Sequence, residues 1–299
     1  MATKASHLDW VLLAVPGVIW GASFLFIAEG LEAMAPDGIT FSRFVIGFVT
    51  LSLIPGARRP VLASDRAGIA WLGVIWLALP MSMFPHAEQH VTSALTGMLN
   101  GAIPLIATGV AAMLARRAPP AMVLGGLTVG FAGAVLMAIP GLGAGGNSAR
   151  GVAMIVFALF CYGVAVNLAR PLQQRNGALP VVWRALGVAL VLTAPLGLPA
   201  LIHARWSGPS MAAVFALGFF GTAIANVVMA VAAGRLGAAR ASVSAFLIPV
   251  VALALGVAVR GERVPAEAIA GGAACLAGAW LVRRGSIPGL ANENPHRID

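Results

Sequence analysis

The stretch "LNGAIPLIA", Leu99 to Ala107, lies inside a long apolar run, yet it holds a helix breaker, Pro104, and a carboxamide, Asn100. A similar phrase, "SAFLIPVVA", returns at Ser244 to Ala252, with Pro249 at the same place in the run, 145 positions after Pro104. A segment that only has to be apolar needs neither group. A breaker placed twice in one context points to a duplicated unit and to a use for the break.

The composition sets the solvent. Hydrophobic residues make up 60% of the 299-residue chain, charged residues 10%, and the mean hydropathy is +0.92. A soluble domain carries about 45–50% apolar and about 25% charged residues. The chain is therefore a polytopic membrane protein, and the same numbers exclude intrinsic disorder. The net charge of +9 does not point to nucleic acid, because the basic residues are scattered between apolar runs, as in membrane loops. Lys4 is the one lysine, so a phosphate-cradling GxxxxGK[ST] loop is absent and ATP hydrolysis by that route is not expected. Cys161 and Cys275 fall inside apolar runs and read as packing residues, with no disulfide framework and no metal site.

A membrane helix needs about 20 mostly apolar residues. Ten such runs are predicted, near 8–28, 37–55, 66–86, 90–115, 120–139, 150–170, 179–201, 210–233, 238–259 and 265–283. The first is read as a retained span rather than a signal peptide, since it is long for a signal core and has a counterpart in the second half. Lys4, Arg58, Arg59, Arg66, Arg116, Arg117, Arg170, Arg175, Arg235, Arg240, Arg283, Arg284 and Arg297 fall in one set of alternate loops. Only Arg150, Arg205, Arg260 and Arg263 fall in the other. The expectation is a bacterial inner (plasma) membrane protein with both termini cytoplasmic. Glu29, Glu32 and Asp37 then cluster at the first outer loop.

Shifted by 145, Pro104 meets Pro249, Pro120 meets Pro265, and Gly73, Gly126 and Gly133 meet Gly218, Gly271 and Gly278. At slightly shorter offsets Arg43 meets Arg184, and Trp20–Gly21 meets Tyr162–Gly163. The expected architecture is all-α: ten transmembrane helices as two inverted five-helix repeats, 1–144 and 145–285, with a cytoplasmic tail at 286–299. Five is odd, so the second repeat enters from the opposite side. "ARRAP" at 115–119 aligns with "RGERV" at 260–264, where the outer copy has gained Glu262. Inverted repeats mark alternating-access carriers with a site at the midplane between the halves. Pro104 and Pro249 are then hinge candidates, because a proline removes a backbone hydrogen bond and the freed carbonyl must face protein or water. Ordinary packing kinks are the plainer reading of both.

The chain resembles the drug/metabolite transporter superfamily in its ten-helix EamA-type branch. The resemblance spans about residues 8–284 and rests on "WGASF" at 20–24, "FSRF" at 41–44, the mid-span prolines, and "RGERVP" through "GGAACLAGAWLV" at 260–282. It implies a secondary carrier exporting amino acids or similar small metabolites, without ATP, like YddG-type aromatic amino-acid exporters. A multidrug or other metabolite carrier is the alternative within the class. A non-transporting scaffold or receptor is the alternative outside it, and an intramembrane enzyme lacks the residues it would need.

Candidate site residues follow from polarity within the spans, where polar side chains rarely face lipid. Thr92, Thr96, Asn100, Pro104 and Thr108 recur every fourth residue on one face. They either line a cavity or hydrogen-bond a neighbouring helix. Trp20, Ser23 and Phe24 share a face of the first span, with Tyr162 at the matching place in the sixth, as packing or as cavity walls. Thr222 and Asn226 give the eighth span a polar face, while the ninth offers Ser242 and Ser244. Asn100, Trp20 and Tyr162 are expected to border one central cavity. His86, Glu88 and His90, in "HAEQH", are proton-coupling or gate candidates, with the two histidines sharing a face if helical. Arg43 and Arg184 are in-span charges read as near span ends, serving as anchors or as substrate ligands. No acid is read at any midplane, which favours neutral or zwitterionic substrates. No cofactor and no metal are expected. The expected partners are a small-molecule substrate and the lipid bilayer, with the protein a monomer.

Overall fold

The computed structural model describes residues 7–116, 118–139, 149–236 and 241–285, with residues 242 and 243 described by backbone alone. The repeat boundary at 144/145, the tail 286–299, and Lys4, Arg117, Arg240 and Arg297 lie outside the described residues. Ten helical spans follow in order: α1 (His7–Leu31), α2 (Pro36–Ser52), α3 (Ala63–Glu88), α4 (Ser93–Ala115), α5 (Ala121–Ala138), α6 (Ala149–Asn176), α7 (Ala178–Ile202), α8 (Gly208–Leu236), α9 (Ser244–Arg260) and α10 (Ala266–Arg284). Seven are long and apolar enough to cross a membrane. The other three are the shorter α2 and α9 and the more charged α10, which carries Glu267, Arg283 and Arg284.

The ends have local causes. Pro36 sits in the first turn of α2, where its missing N–H costs no helical bond. Gly177, at φ 84, separates α6 from α7, and Gly261, at φ 61, closes α9. Both conformations suit a residue without Cβ.

The packing repeats itself across the two halves. α1 lies against α8 and α9, and α6 lies against α3 and α4. α2 packs on α8, as α7 packs on α3. Three contacts pair each span with its own counterpart: α2 with α7, α4 with α9, and α5 with α10. These pairs run antiparallel. In α5 and α10, a Cβ on Gly126 would lie 2.8 Å from the Gly278 carbonyl oxygen, and one on Gly133 would lie 2.5 Å from the Gly271 carbonyl oxygen. In α4 and α9, Ala94, Gly97 and Gly101 meet Gly256, Ala252 and Pro249 in that reversed order. An antiparallel match of equivalent spans is what an inverted repeat requires. Lipid gives helices no hydrophobic reason to associate, so close backbone approach at small residues supplies the attraction.

The breaks are duplicated as well. α4 is interrupted by a 3-10 turn at Asn100–Ala102, and one at Ser242–Phe246 leads into α9. Each turn lies just before its proline, Pro104 or Pro249. The backbone loosens one turn ahead of the ring rather than at it. The Asn100 carbonyl, which Pro104 cannot serve, accepts from Ile103 N instead. Two π-helical turns form a second pair, Gly73–Ala78 in α3 and Leu217–Ile224 in α8. Gly73 and Gly218, which the repeat aligns, let these turns press onto the backbones of α7 at Ala185 and of α2 at Arg43.

The α5–α10 seam should therefore be intolerant of bulk. Gly278→Val places methyl groups against the backbone of Gly126 and Gly130 and should cost about 1–3 kcal/mol of stability, the usual penalty of overpacking. Gly125→Ala, where a Cβ would meet nothing within 4 Å, should not lower it and, since Ala favours the helix, should raise it by up to about 1 kcal/mol. Thermal unfolding of the purified variants in detergent checks both.

Candidate functional site

The π turn of α8 organises one side of the central region. Such a turn displaces the regular hydrogen-bond ladder and marks functional positions more often than chance. Trp20 Nε1 of α1 donates to the Gly221 carbonyl at 3.1 Å. Ser23 packs against Gly221 while its hydroxyl donates to Ile19 O, and Asn226 Nδ2 donates to Thr222 O. Thr222 Oγ1 accepts from Arg43 Nε of α2 at 3.2 Å and donates to Leu217 O. Arg43 is only 4% exposed and sits halfway along α2, which corrects its reading as a residue near a span end. Its depth was hidden because the span is short, 17 residues, and its N-terminal half is polar.

Three aromatic rings from three spans make the adjoining wall. Phe24 of α1 meets Phe84 of α3 edge-on, centroids 5.7 Å apart, and Phe84 stacks with Tyr162 of α6 at 5.8 Å. Phe24 also lies on Gly97 of α4, one residue from Thr96. Phe84 was not singled out in the sequence. Its position four residues before Glu88, on the same helix face, was the available signal. Arg43 lies within electrostatic reach of both Tyr162 and Glu88. Both carboxylate oxygens of Glu88 are shut away from solvent, and neither accepts a hydrogen bond.

The remaining candidates are placed as follows. Thr96, Asn100 and Thr108 each donate to the carbonyl four residues back in their own span, at Thr92, Thr96 and Pro104, and Thr92 Oγ1 caps α4 by accepting from Leu95 N. The amide donor of Asn100 is thus engaged within its own helix and does not bridge to another. Trp20 and Tyr162 both pack against the core cluster that holds Phe24, Phe84 and Leu99. Within it Trp20 turns to α8 and Tyr162 to α3. Ser244 Oγ ties α9 to α1 by donating to Leu13 O at 2.6 Å. Asn167 Nδ2 of α6, also unmarked in the sequence, bridges to Ala107 O of α4.

His86 and His90 do not share a helical face, because α3 ends at Glu88 and His90 follows in a turn. His86 instead approaches Asp37, Nε2 to Oδ2 at 3.8 Å. Arg184 is partly exposed, lies over the Trp183 ring at 5.2 Å and donates to Pro180 O, so it is not a buried twin of Arg43. A groove of about 510 Å³ runs beside it along α7, past Gly187, Val188 and Val191.

Ion pairs fasten both ends of the bundle. At one end Arg260 bridges Glu29 and Glu32 at 2.6 and 3.1 Å. Beside it, Glu262 caps α4 by accepting from Ser93 N, Ser93 Oγ and Ala94 N. At the other end Asp9 pairs with Arg235, and Asp65 with Arg175 and Asn176.

A membrane bundle of two inverted halves, with charged and aromatic groups gathered where the halves meet, defines a carrier. The model of the EamA-like transporter family matches residues 9–139 and again 149–284, and the chain belongs to that family. A protein of Streptantibioticus cattleyicolor named a probable terminal-alkyne amino-acid exporter is 29% identical over 289 residues, covering 95% of this chain and 96% of its own. The uncharacterized inner membrane transporter YedA of Escherichia coli K12 is 25% identical, covering 82% of this chain and 80% of its own. A crystal structure of a protein 19% identical shares the fold with a TM-score of 0.60, over 95% of this chain and 99% of that one.

The Trp20 bond is open to a direct check. Trp20→Phe keeps a ring but leaves the buried Gly221 carbonyl without this donor, and should lower stability by about 1–3 kcal/mol. Trp10→Phe, at a ring 63% exposed, should change nothing in the same thermal unfolding measurement.

Proposed function

We propose that this transporter is a secondary exporter of amino acids with aromatic or other apolar side chains, working by alternating access without ATP. The observation that carries the reading is the Phe24–Phe84–Tyr162 wall, with the buried Arg43 guanidinium within electrostatic reach of Tyr162. An apolar wall with few fixed polar groups is the usual make-up of a small-molecule site. The rings suit an apolar side chain, and a guanidinium presents paired donors to a carboxylate. The name of the Streptantibioticus relative, matched almost end to end, supports the same substrate class. Thr96, Asn100, Trp20, Ser23 and Asn226 border this region as secondary contacts, and Pro104 and Pro249 are the hinges about which the two repeats rock. The Arg and Lys bias supports an inner-membrane placement with cytoplasmic termini. The end that carries Glu29, Arg260 and Glu262 then faces outward.

Purified protein in vesicles, with no nucleotide present, should exchange internal for external L-phenylalanine. Phe84→Ala should raise the half-saturation concentration about tenfold, the effect of losing roughly 1.4 kcal/mol of contact. Leu114→Ala, at a side chain 71% exposed, should not. Exchange that demands ATP, or that ignores the loss of Phe84, would count against the reading. A cysteine placed at Ser207 should react with an impermeant label applied from outside the cell.

A further inference from the structure

We infer that Glu88 carries the coupling proton: it is protonated in the empty carrier and gives up that proton when an amine-bearing substrate occupies the site. The inference rests on the amino-acid reading above and adds the ion that drives export.

Glu88 is set apart by what it lacks. Among the described residues its two oxygens are the buried side-chain polar atoms left without a hydrogen-bond partner. A buried carboxylate with no donor is among the least stable groups a protein can hold, so it neutralises or finds a partner. An ionisable group in a membrane span is a functional candidate by default.

The surroundings show why no resident group serves it. From α2 it is faced by Arg43, whose Nε is committed to Thr222. From the end of α9 it is faced by Arg260, held by Glu29 and Glu32 of α1, and by Glu262, whose oxygens cap α4. α6 brings Tyr162 within electrostatic reach of Arg43. On its own helix His86 turns to Asp37 of α2. The α4 residues Ser93–Leu99 bring no ionisable group. Arg43 Nε is turned to Thr222 and Arg260 to Glu29 and Glu32, neither hydrogen-bonds Glu88, and Glu262 adds a like charge. The carboxyl therefore has the chemistry for a cation that comes and goes. It stands one helical turn from Phe84, so an apolar substrate on the aromatic wall would bring its ammonium to it.

The exchange balances. The neutral carboxylic acid loses its O–H proton to water and becomes a carboxylate, and the arriving ammonium forms a hydrogen-bonded ion pair with it. Release of the substrate on the far side lets a proton return to the same oxygen. One proton moves opposite to each substrate. For a zwitterion this also moves one net charge, so the membrane potential and the pH gradient both drive export.

The test uses the full-length purified protein at neutral pH. The infrared C=O stretch of a protonated carboxyl should be present without substrate and absent in Glu88→Gln. L-phenylalanine should abolish it in the wild type and release about one proton per molecule bound, counted by calorimetry in two buffers of different ionisation enthalpy. While the acid stays protonated, the half-saturation concentration for phenylalanine should rise up to tenfold per unit fall in pH, and should be flat in Glu88→Gln. If that variant fails to fold, Glu88→Asp keeps the acid and should keep the release. A wild type without the band, or one that binds phenylalanine without releasing a proton, overturns the inference. If phenylalanine does not bind although the band is present, the substrate reading has failed rather than this one. Phenethylamine, which has the ammonium but no carboxylate, should then displace the proton, and its failure to do so also overturns the inference.

Discussion

The structure depends on one constraint: in hydrocarbon every backbone N–H and C=O must find its partner inside the protein. Regular helices meet it alone, so each irregular turn needs a neighbour. The turns at Asn100–Ala102 and Ser242–Phe246 lie in spans that pack on each other, with the Pro249 ring against Gly101. The π turns of α3 and α8 lie on the smooth backbones of α7 and α2, and the α8 turn takes an indole donor from α1. These four departures from ideal helix each have another span packed against them. This answers the question of a breaker used twice. The duplication that repeats each break also supplies it with a cover.

The constraint also explains how much could be read directly. Hydropathy alone set out ten spans, because lipid punishes any other solution, and the runs agree with the helices to within a few residues at most ends. The matched prolines and glycines gave the duplication, and the odd span count gave its inversion. What escaped was lateral. Phe84 carries no mark along the chain beyond being apolar, and its meeting with Phe24 and Tyr162 needs three spans brought together. The Thr96 and Asn100 stripe was legible as polar, but a side chain can satisfy itself on its own helix. It does so here through carbonyls four residues back. Whether His86 and His90 shared a face depended on the helix running through both, and it stops between them.

Electrostatics separates the ends from the middle. Asp9, Asp65, Glu29 and Glu32 have arginine partners at the rims, and water weakens the more exposed Arg260 links to Glu29 and Glu32. Such links can open and re-form cheaply as a carrier changes shape. Arg43 is deep and costly to bury, and it is held to one hydroxyl rather than to a carboxylate. A cation kept this way retains donors to offer. The pseudo-equivalent Arg184 has moved to the surface of α7, so the two halves share a frame while dividing the chemistry unequally.

The seam between α5 and α10 has one more property. Gly126 meets Gly278 and Gly133 meets Gly271, and these two contacts are copies of each other under the repeat. Such an interface is isologous: one surface meets itself turned around, as in a twofold dimer. A chain of five spans able to insert in either direction would build the same contact with an oppositely inserted copy of itself. Fusion of two such copies would then have needed no new interface, only a connecting loop. Once the copies were joined in one polypeptide, each side became free to change alone, as Arg43 and Arg184 have done.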